Sequence, residues 1–296
     1  MKTLTIFTPT YNREELLAKL YKSLCNQTSK DFIWMVIDDG STDKTRELVQ
    51  KWKEENLIEI EYYYKENGGM HTGHNLALKL IQTELNMCID SDDYMPTEAV
   101  GKLLYFWEIN KNDNYAGILG LDSFENGNLV SGKPFPTNIK SGKYFLLKKK
   151  YGLRGDVKFV YRTDVIKRYP DYPVFDGEKL TPLGYKYRII DQHYDMLFFN
   201  EVLCIVEYMP DGSSKTITKQ YFQSPNGFRH SRLYTMKYSA DLKEKFIQSM
   251  HFVKESIISK NYNIYTNNSE KFIVTIAIPF GILLYLYLKL KLKRNG

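Results

Sequence analysis

The sequence predicts an α/β fold built on a mostly parallel sheet, and three observations carry that expectation. Short apolar runs without helical spacing alternate with helically spaced runs of about ten residues, the pattern of strands joined by right-handed crossovers. Polar clusters follow the apolar runs one after another. One run, Met87-Cys88-Ile89, ends in Asp90-Ser91-Asp92-Asp93, three carboxylates at a strand end.

Thr3 to Thr8 reads as the first strand and stops at Pro9, which pushes the residue before it toward an extended conformation. Thr10-Tyr11-Asn12-Arg13 hands over to a helix with Leu16, Leu17, Leu20, Tyr21 and Leu24 at helical spacing. Ile33 to Ile37 is a second strand, running into Asp38-Asp39-Gly40-Ser41-Thr42-Asp43, where Ser41 or Asp43 caps the next helix. Ile58 to Tyr64 leads into Glu66-Asn67-Gly68-Gly69, and a helix from Asn75 to Ile81 precedes the strand ending at Asp90. Ala99 to Ile109 reads as a helix and Tyr115 to Leu121 as a strand. Asp122 to Gly142, with Gly127, Gly132, Pro134 and Pro136, is a loop or small hairpin. Val157 to Arg162 is a further strand; Thr163 or Asp164 then opens a short helix that Pro170 stops. Phe175 to Pro182 is polar and precedes a helical run through Tyr187, Ile190 and Tyr194.

In such a sheet ligands bind beyond the carboxyl ends of the strands, so Thr8 to Arg13, Asp38 to Ser41, Asn67 to Asn75 and Asp90 to Asp93 are expected to line one crevice. Carboxylates two residues apart present hard oxygen donors, which suit Mg2+ or Mn2+ and, through either ion, a diphosphate. The bland alternative is a solvated acidic turn capping the helix after Pro96. The convergence of four polar loops outweighs it.

Thr8-Pro9-Thr10-Tyr11-Asn12-Arg13, Val36-Ile37-Asp38-Asp39-Gly40-Ser41-Thr42-Asp43, Asn67-Gly68-Gly69, Asn75 and Asp90-Ser91-Asp92-Asp93 together resemble the family 2 glycosyltransferases of the GT-A fold. The likeness is close over roughly the first hundred residues and looser to about Tyr208. It implies a Rossmann-like, mostly parallel sheet with flanking helices, a nucleotide-sugar donor that is most often UDP-linked, Mn2+ or Mg2+, and inversion at the anomeric carbon. Carried over residue by residue, it implies that Asp92 holds the metal. Thr8, Tyr11, Asp39, Gly69, Asn75, Asp90 and Ser91 would contact the nucleotide sugar, with Asp39 accepting from a uracil N–H. Glu178, just before a helix, matches the family's general base. The family pattern there is Glu-Asp, whereas this chain separates Asp176 from Glu178 by Gly177, so Asp176 and the later Asp191 stay open as alternatives. The Gln-x-x-Arg-Trp motif of processive polysaccharide synthases is missing, which favours addition of a single sugar to a glycan or lipid-linked acceptor in capsule, exopolysaccharide or lipopolysaccharide synthesis.

The expected organisation is a glycosyltransferase domain over 1–210, with a donor half over about 1–121 and an acceptor half over 122–210, followed by a helical extension over 211–296. The net charge of +6, from 41 basic and 35 acidic residues, is mild and dispersed, which argues against nucleic acid as a partner. Cys25, Cys88 and Cys204 have no paired spacing and read as reduced core residues of a cytoplasmic protein, and no leader is expected before Leu4. Most of the 24 tyrosines are expected to be structural. His71 and His74 read as polar loop residues before they read as donor contacts, and His193 as a surface or packing residue.

Phe272 to Leu288 is apolar except for Thr275, is interrupted by Pro279 and Gly281, and is followed by Lys289, Lys291, Lys293 and Arg294. Its length is marginal for a membrane span. Apolar residues ending in cations fit a segment lying at a membrane surface, over 272–294, and hence peripheral attachment to the inner face of the cell membrane. A spanning helix and a helix packed on the globular domain are the alternatives. Two other functions remain: a nucleotidyltransferase, disfavoured by the lack of a Gly-rich phosphate loop bearing Lys or Arg after the first strand, and a non-catalytic nucleotide-sugar-binding protein. The missing Gly-x-Gly-x-x-Gly disfavours a dinucleotide oxidoreductase.

Overall fold

The computed structural model describes residues 2–207 and 213–295. Its sheet starts from β1 (Leu4–Thr10), whose seven residues are all buried, so both faces of the strand are covered. There follow α1 (Glu14–Cys25), β2 (Phe32–Asp38), α2 (Thr45–Glu55), β3 (Ile60–Tyr64), α3 (Met70–Leu80) and β4 (Leu85–Cys88). β1 pairs in parallel with β2 and β4, and β2 with β3. Leu17, Leu20, Tyr21 and Leu24 form the buried stripe of α1, as the spacing predicts. Tyr21 stacks on Trp52 of α2 at 4.3 Å between ring centroids, with Trp34 of β2 beside them. Each such aromatic stabilises the fold by about 1.5–3 kcal/mol through burial.

The chain continues through α4 (Ala99–Asn110), β5 (Tyr115–Phe124), β6 (Ser141–Gly142), α5 (Tyr144–Lys150), β7 (Lys158–Arg162), α6 (Thr163–Ile166), α7 (Gly184–His193) and β8 (Asp195–Val206). The eight strands lie in the order β3-β2-β1-β4-β7-β5-β8-β6. β7 is antiparallel to both β4 and β5, and β6 is antiparallel to β8; the other pairs are parallel.

Several elements differ from the sequence reading: β1 continues through Pro9 to Thr10, and α5 was not anticipated. The third helix begins at Met70 rather than Asn75, because Gly69 at φ 91° turns the chain straight into it, so His71 and His74 are helical. The first long strand after the acidic turn runs on to Phe124, which puts Asp122 in the sheet instead of in a loop. β8, twelve residues long, was not anticipated; Asn200 and Glu201 interrupt its apolar pattern where β5 and β8 shift register.

Two compact units emerge: Met1–Pro170 with His193–Met209, and Asp171–Gln192 with Pro210–Gly296. The boundary expected at 210, and Tyr208, lie outside the described residues. The first unit holds the sheet. The second holds most of α7 together with α8 (Ser213–Gln223), α9 (Pro225–Tyr238), α10 (Leu242–Ile258) and α11 (Lys271–Asn295). Met236, Phe252, Val253 and Val274 form the core shared by α9, α10 and α11. Gly281 lets α11 approach α10: a Cβ there would lie 2.6 Å from the Cβ of Val253. Val274, Ala277 and Leu288 are buried, while Phe272, Phe280, Leu283, Leu286, Tyr287 and Leu290 are exposed. α11 is thus packed along one stripe and apolar around much of the rest. Among the described residues it is the one helix long and apolar enough to cross a membrane.

Candidate donor and metal site

Two polar loops at the ends of β1 and β2 are laced together. Asn12, at φ 51°, accepts from Thr42 N at 2.8 Å through Oδ1 and donates its own N–H to Ser41 Oγ at 2.9 Å. Asp43 accepts from Thr45 N and from Glu14 N, so it serves the starts of α1 and α2 together. Asp38 accepts from Ser41 N at 2.7 Å and from the Tyr62 hydroxyl. Gly40, at φ 88°, lies where a Cβ would sit 2.8 Å from Asn67 N, and only glycine permits that approach.

Asp39 is bound into the same construction. Its Oδ1 accepts from Gly68 N at 2.9 Å and from Lys65 Nζ, and its Oδ2 accepts from Gly69 N at 2.7 Å and Asn67 Nδ2 at 3.2 Å. A carboxylate offers about four lone-pair sites, and these four donors take them. Thr8 is fully buried and accepts from Trp34 Nε1 at 3.0 Å, so its hydroxyl serves the core. Tyr11 is exposed, Asn75 half-buried and Ser91 buried.

The acidic turn carries its own cations. Asp92 pairs with Arg13 at 2.9 Å, and its side chain remains 20% exposed. Asp93, buried, accepts from Glu207 N at 3.3 Å, and its Oδ2 lies 3.4 Å from Cys204 Sγ. Lys158, only 12% exposed, lies 3.8 Å from Asp122 on β5. Burial works against the charge of Lys158, yet Asp122, Cys204, Asp90 and Asp93 outweigh it and hold its pKa well above the ordinary value. Burial raises the carboxylates, Asp93 to about 7 and Asp122 to about 6, with Lys158 opposing. Asp90 rises for the same reason, with Asp92 adding to it. One cation shared among Asp90, Asp93 and Asp122 leaves a surplus of negative charge that opens to solvent at Asp92.

Glu178 belongs to the second unit, where its carboxylate sits at the N-terminus of α9. Oε1 accepts from Asn226 N at 2.9 Å and Asn226 Nδ2 at 2.8 Å, and Oε2 from Gly227 N at 2.9 Å. This is an anion on a helix N-terminus, favoured by the helix dipole. Asp176 is exposed and Asp191 buried.

The structure therefore joins Asp39 to Gly69 directly and groups Asp90, Ser91 and Asp92 in one turn tied to the first loop by Arg13. Sequence reasoning missed Lys158, Asp122, Lys65 and the thiols of Cys88 and Cys204. A lysine at the start of an antiparallel strand was the available signal. β7 runs against β4, and Lys158 lies two residues beyond the Met87–Val160 pair, level with the end of β4.

Residues 5–169 match the family described as Glycosyl transferase family 2. Among curated proteins, the poly(ribitol-phosphate) beta-N-acetylglucosaminyltransferase TarS of Staphylococcus aureus is 30% identical over 115 residues, 38% of this chain and 20% of that protein. The GalNAc(5)-diNAcBac-PP-undecaprenol beta-1,3-glucosyltransferase of Campylobacter jejuni is 29% identical over 187 residues, 61% of this chain and 58% of that one. The chain thus spans less than two thirds of the length of these relatives. Among solved structures, TarS 1–349 of S. aureus in complex with UDP-GlcNAc has a TM-score of 0.59 at 19% identity, covering 95% of this chain and 81% of that one. The mannosyltransferase PcManGT from Pyrobaculum calidifontis, in complex with GDP-Man and Mn2+, has a TM-score of 0.55 at 13% identity, covering 96% and 87%. At these identities the likeness is one of fold, and the fold is GT-A. With that fold, with acidic motifs at the strand ends and with a match over more than half of its length, the chain belongs to glycosyl transferase family 2.

Proposed function

We propose that the protein moves one sugar from a UDP-sugar to a hydroxyl of a glycan or lipid-linked precursor of a cell-surface polymer, with inversion at the anomeric carbon. The observation that supports this best is the convergence of Arg13, the Asp39–Gly69 loop and the Asp90–Asp92 turn at the carboxyl ends of parallel strands. TarS has been crystallised with UDP-GlcNAc, which supports a uridine nucleotide. The acceptors in the names of the relatives, poly(ribitol-phosphate) and a PP-undecaprenol-linked glycan, support a surface-polymer acceptor.

Asp92 fits a hard divalent cation, because its carboxylate is partly exposed at the open end of an acidic cluster. Among the described residues no three His, Cys, Asp or Glu side chains are grouped to hold a metal by themselves, so Asp92 would hold Mn2+ or Mg2+ together with diphosphate oxygens and water. Such an ion supplies Lewis-acid stabilisation of the charge that builds on the leaving diphosphate. Arg13, once released from Asp92, offers the diphosphate a guanidinium, and Asp90 orients the ribose or sugar. Glu178 takes the proton of the acceptor hydroxyl as that oxygen bonds to the anomeric carbon and the bond to the diphosphate breaks. Its role is supported by the family resemblance alone. Attachment to the inner face of the cell membrane is supported by the exposed apolar surface of α11 and its terminal cations.

One observation favours a second reading, a nucleotide-sugar-binding protein without transfer: both oxygens of Glu178 are engaged at the start of α9. The experiment that separates the two is release of UDP from UDP-GlcNAc and UDP-glucose, with and without Mn2+. Binding without release would favour the second reading. A wild-type chain that neither binds nor cleaves any UDP-sugar would overturn both.

A further inference from the structure

Two buried polar side chains near the ends of the parallel strands have no hydrogen-bond partner. His71, in the first turn of α3, is 1% exposed, and neither Nδ1 nor Nε2 is bonded. Thr10 Oγ1, at the end of β1, is buried and equally unpaired. His71 lies two residues past Gly69, whose N–H donates to Asp39 Oδ2 at 2.7 Å. The charges of Asp39 and Lys65 act on the His71 imidazole. Leaving buried hydrogen-bonding groups unmet is costly, and such groups at a strand-end crevice hold capacity that a ligand can fill. Asp39 itself has none to spare, since Lys65, Gly68, Gly69 and Asn67 occupy its oxygens. One turn on from His71, His74 has its ring edge-on to Phe7 at 4.9 Å, so the two histidines of this helix differ in what surrounds them.

We propose that His71 reads the donor's nucleobase, its imidazole N–H donating to O4 of uracil. This rests on the UDP-sugar reading above and names a specificity-determining residue for it. The chemistry is matched. Uracil shows two carbonyl acceptors flanking an N–H, whereas cytosine replaces one carbonyl with an amino group. Burial lowers the pKa of the imidazole, Asp39 opposes and Lys65 adds to the effect, so the ring is neutral and keeps one donor and one acceptor nitrogen. A site built to hydrogen-bond one group rejects an analogue that lacks it more strongly than an apolar pocket could.

The test is calorimetric titration with UDP, CDP and inorganic diphosphate of the wild type and of His71→Phe, which keeps a ring and removes both nitrogens. His71→Phe should weaken UDP binding roughly ten- to a hundredfold and erode the preference for UDP over CDP, while diphosphate affinity stays unchanged. Without nucleotide it should melt no lower than the wild type, because the imidazole makes no hydrogen bond in the free protein. A second arm needs no substitution: 4-thio-UDP, whose sulfur is a poor acceptor, should bind the wild type less well than UDP. Equal affinity for UDP and 4-thio-UDP would overturn the proposal. So would a His71→Phe chain that binds UDP as the wild type does, or one that loses UDP and diphosphate together; the donor reading survives either result. No UDP binding by the wild type would sink both.

Discussion

Each compact unit buries a lysine among charged neighbours, and the two clusters are unbalanced in opposite directions. Around Lys158 the carboxylates of Asp90, Asp93 and Asp122 are in surplus, and the cluster opens at the partly exposed Asp92. Lys254 is wholly buried, 3.1 Å from Glu255, 3.2 Å from His251 Nδ1 and 3.4 Å from the centroid of the Tyr221 ring, with Arg232 3.5 Å from Glu255. There the cations are in surplus. Burial brings Lys254 down to about 8 against the pull of Glu255, and His251 to about 3. A negative surplus at strand ends is a standing demand for a cation from outside. A buried, desolvated pair answers no such demand and is weak support for stability.

The sharpest break of this contrast is Lys158→Met, which leaves Asp90, Asp93 and Asp122 without their buried cation. It should cost about 3–5 kcal/mol in denaturant unfolding, and Asp122→Asn in the same chain should restore part of that loss. If the single substitution is neutral, Lys158 is not what holds the acidic cluster.

Asp92→Asn removes the open end of the cluster and leaves the buried part intact. Turnover should fall by roughly two to three orders of magnitude with little change in melting temperature, and excess chelator should do the same to the wild type. Full activity in either case would remove the metal from the mechanism.

Glu178→Gln asks whether the second unit contributes chemistry or only a cap. A general base predicts a drop in turnover of roughly two orders of magnitude at unchanged UDP affinity. A cap alone predicts about 1 kcal/mol of lost stability and normal turnover.

The Lys254 cluster makes a prediction in pH. The folded-state pKa lies near 8, below its ordinary value of 10.5, so between those values the unfolded chain holds a proton that the folded chain has released. Stability must therefore rise with pH through this window. Unfolding midpoints at pH 7.5, 8.5 and 9.5 should show the rise, and Lys254→Met should remove it.

The smallest effect concerns α11. Leu283→Ser with Leu286→Ser should leave stability within about 0.5 kcal/mol, since both residues are exposed, yet should release the protein from vesicles containing anionic lipid. Unchanged vesicle binding would argue that this face has another use.

The parallel half of the sheet was legible because its strands are mostly apolar runs without helical spacing and its functional residues come at or just after their ends, as Asp38, Asp39 and Asp90 do. The antiparallel strand inverts that rule. Lys158 comes before the apolar run Phe159-Val160-Tyr161, so a search for polar residues after strands passes over it. Glu178 meets Asn226 and Gly227 across nearly fifty positions, and no local pattern announces such a bond. His71 was read as loop because Gly68-Gly69 resembles a flexible stretch; only the positive φ of Gly69 makes it the entry to a helix.

The position of β8 sets a timetable for synthesis. It lies between β5 and β6, although it follows both in the chain, so the far edge of β5 stays unpaired until about residue 206 has left the ribosome. At about 5–20 residues per second, the roughly 80 residues after Phe124 take on the order of 4 to 16 s. For that interval the nascent protein presents an open strand edge flanked by apolar Ile118, Leu119 and Leu121, a natural target for a chaperone and the point at which overexpression should first divert the chain into aggregates.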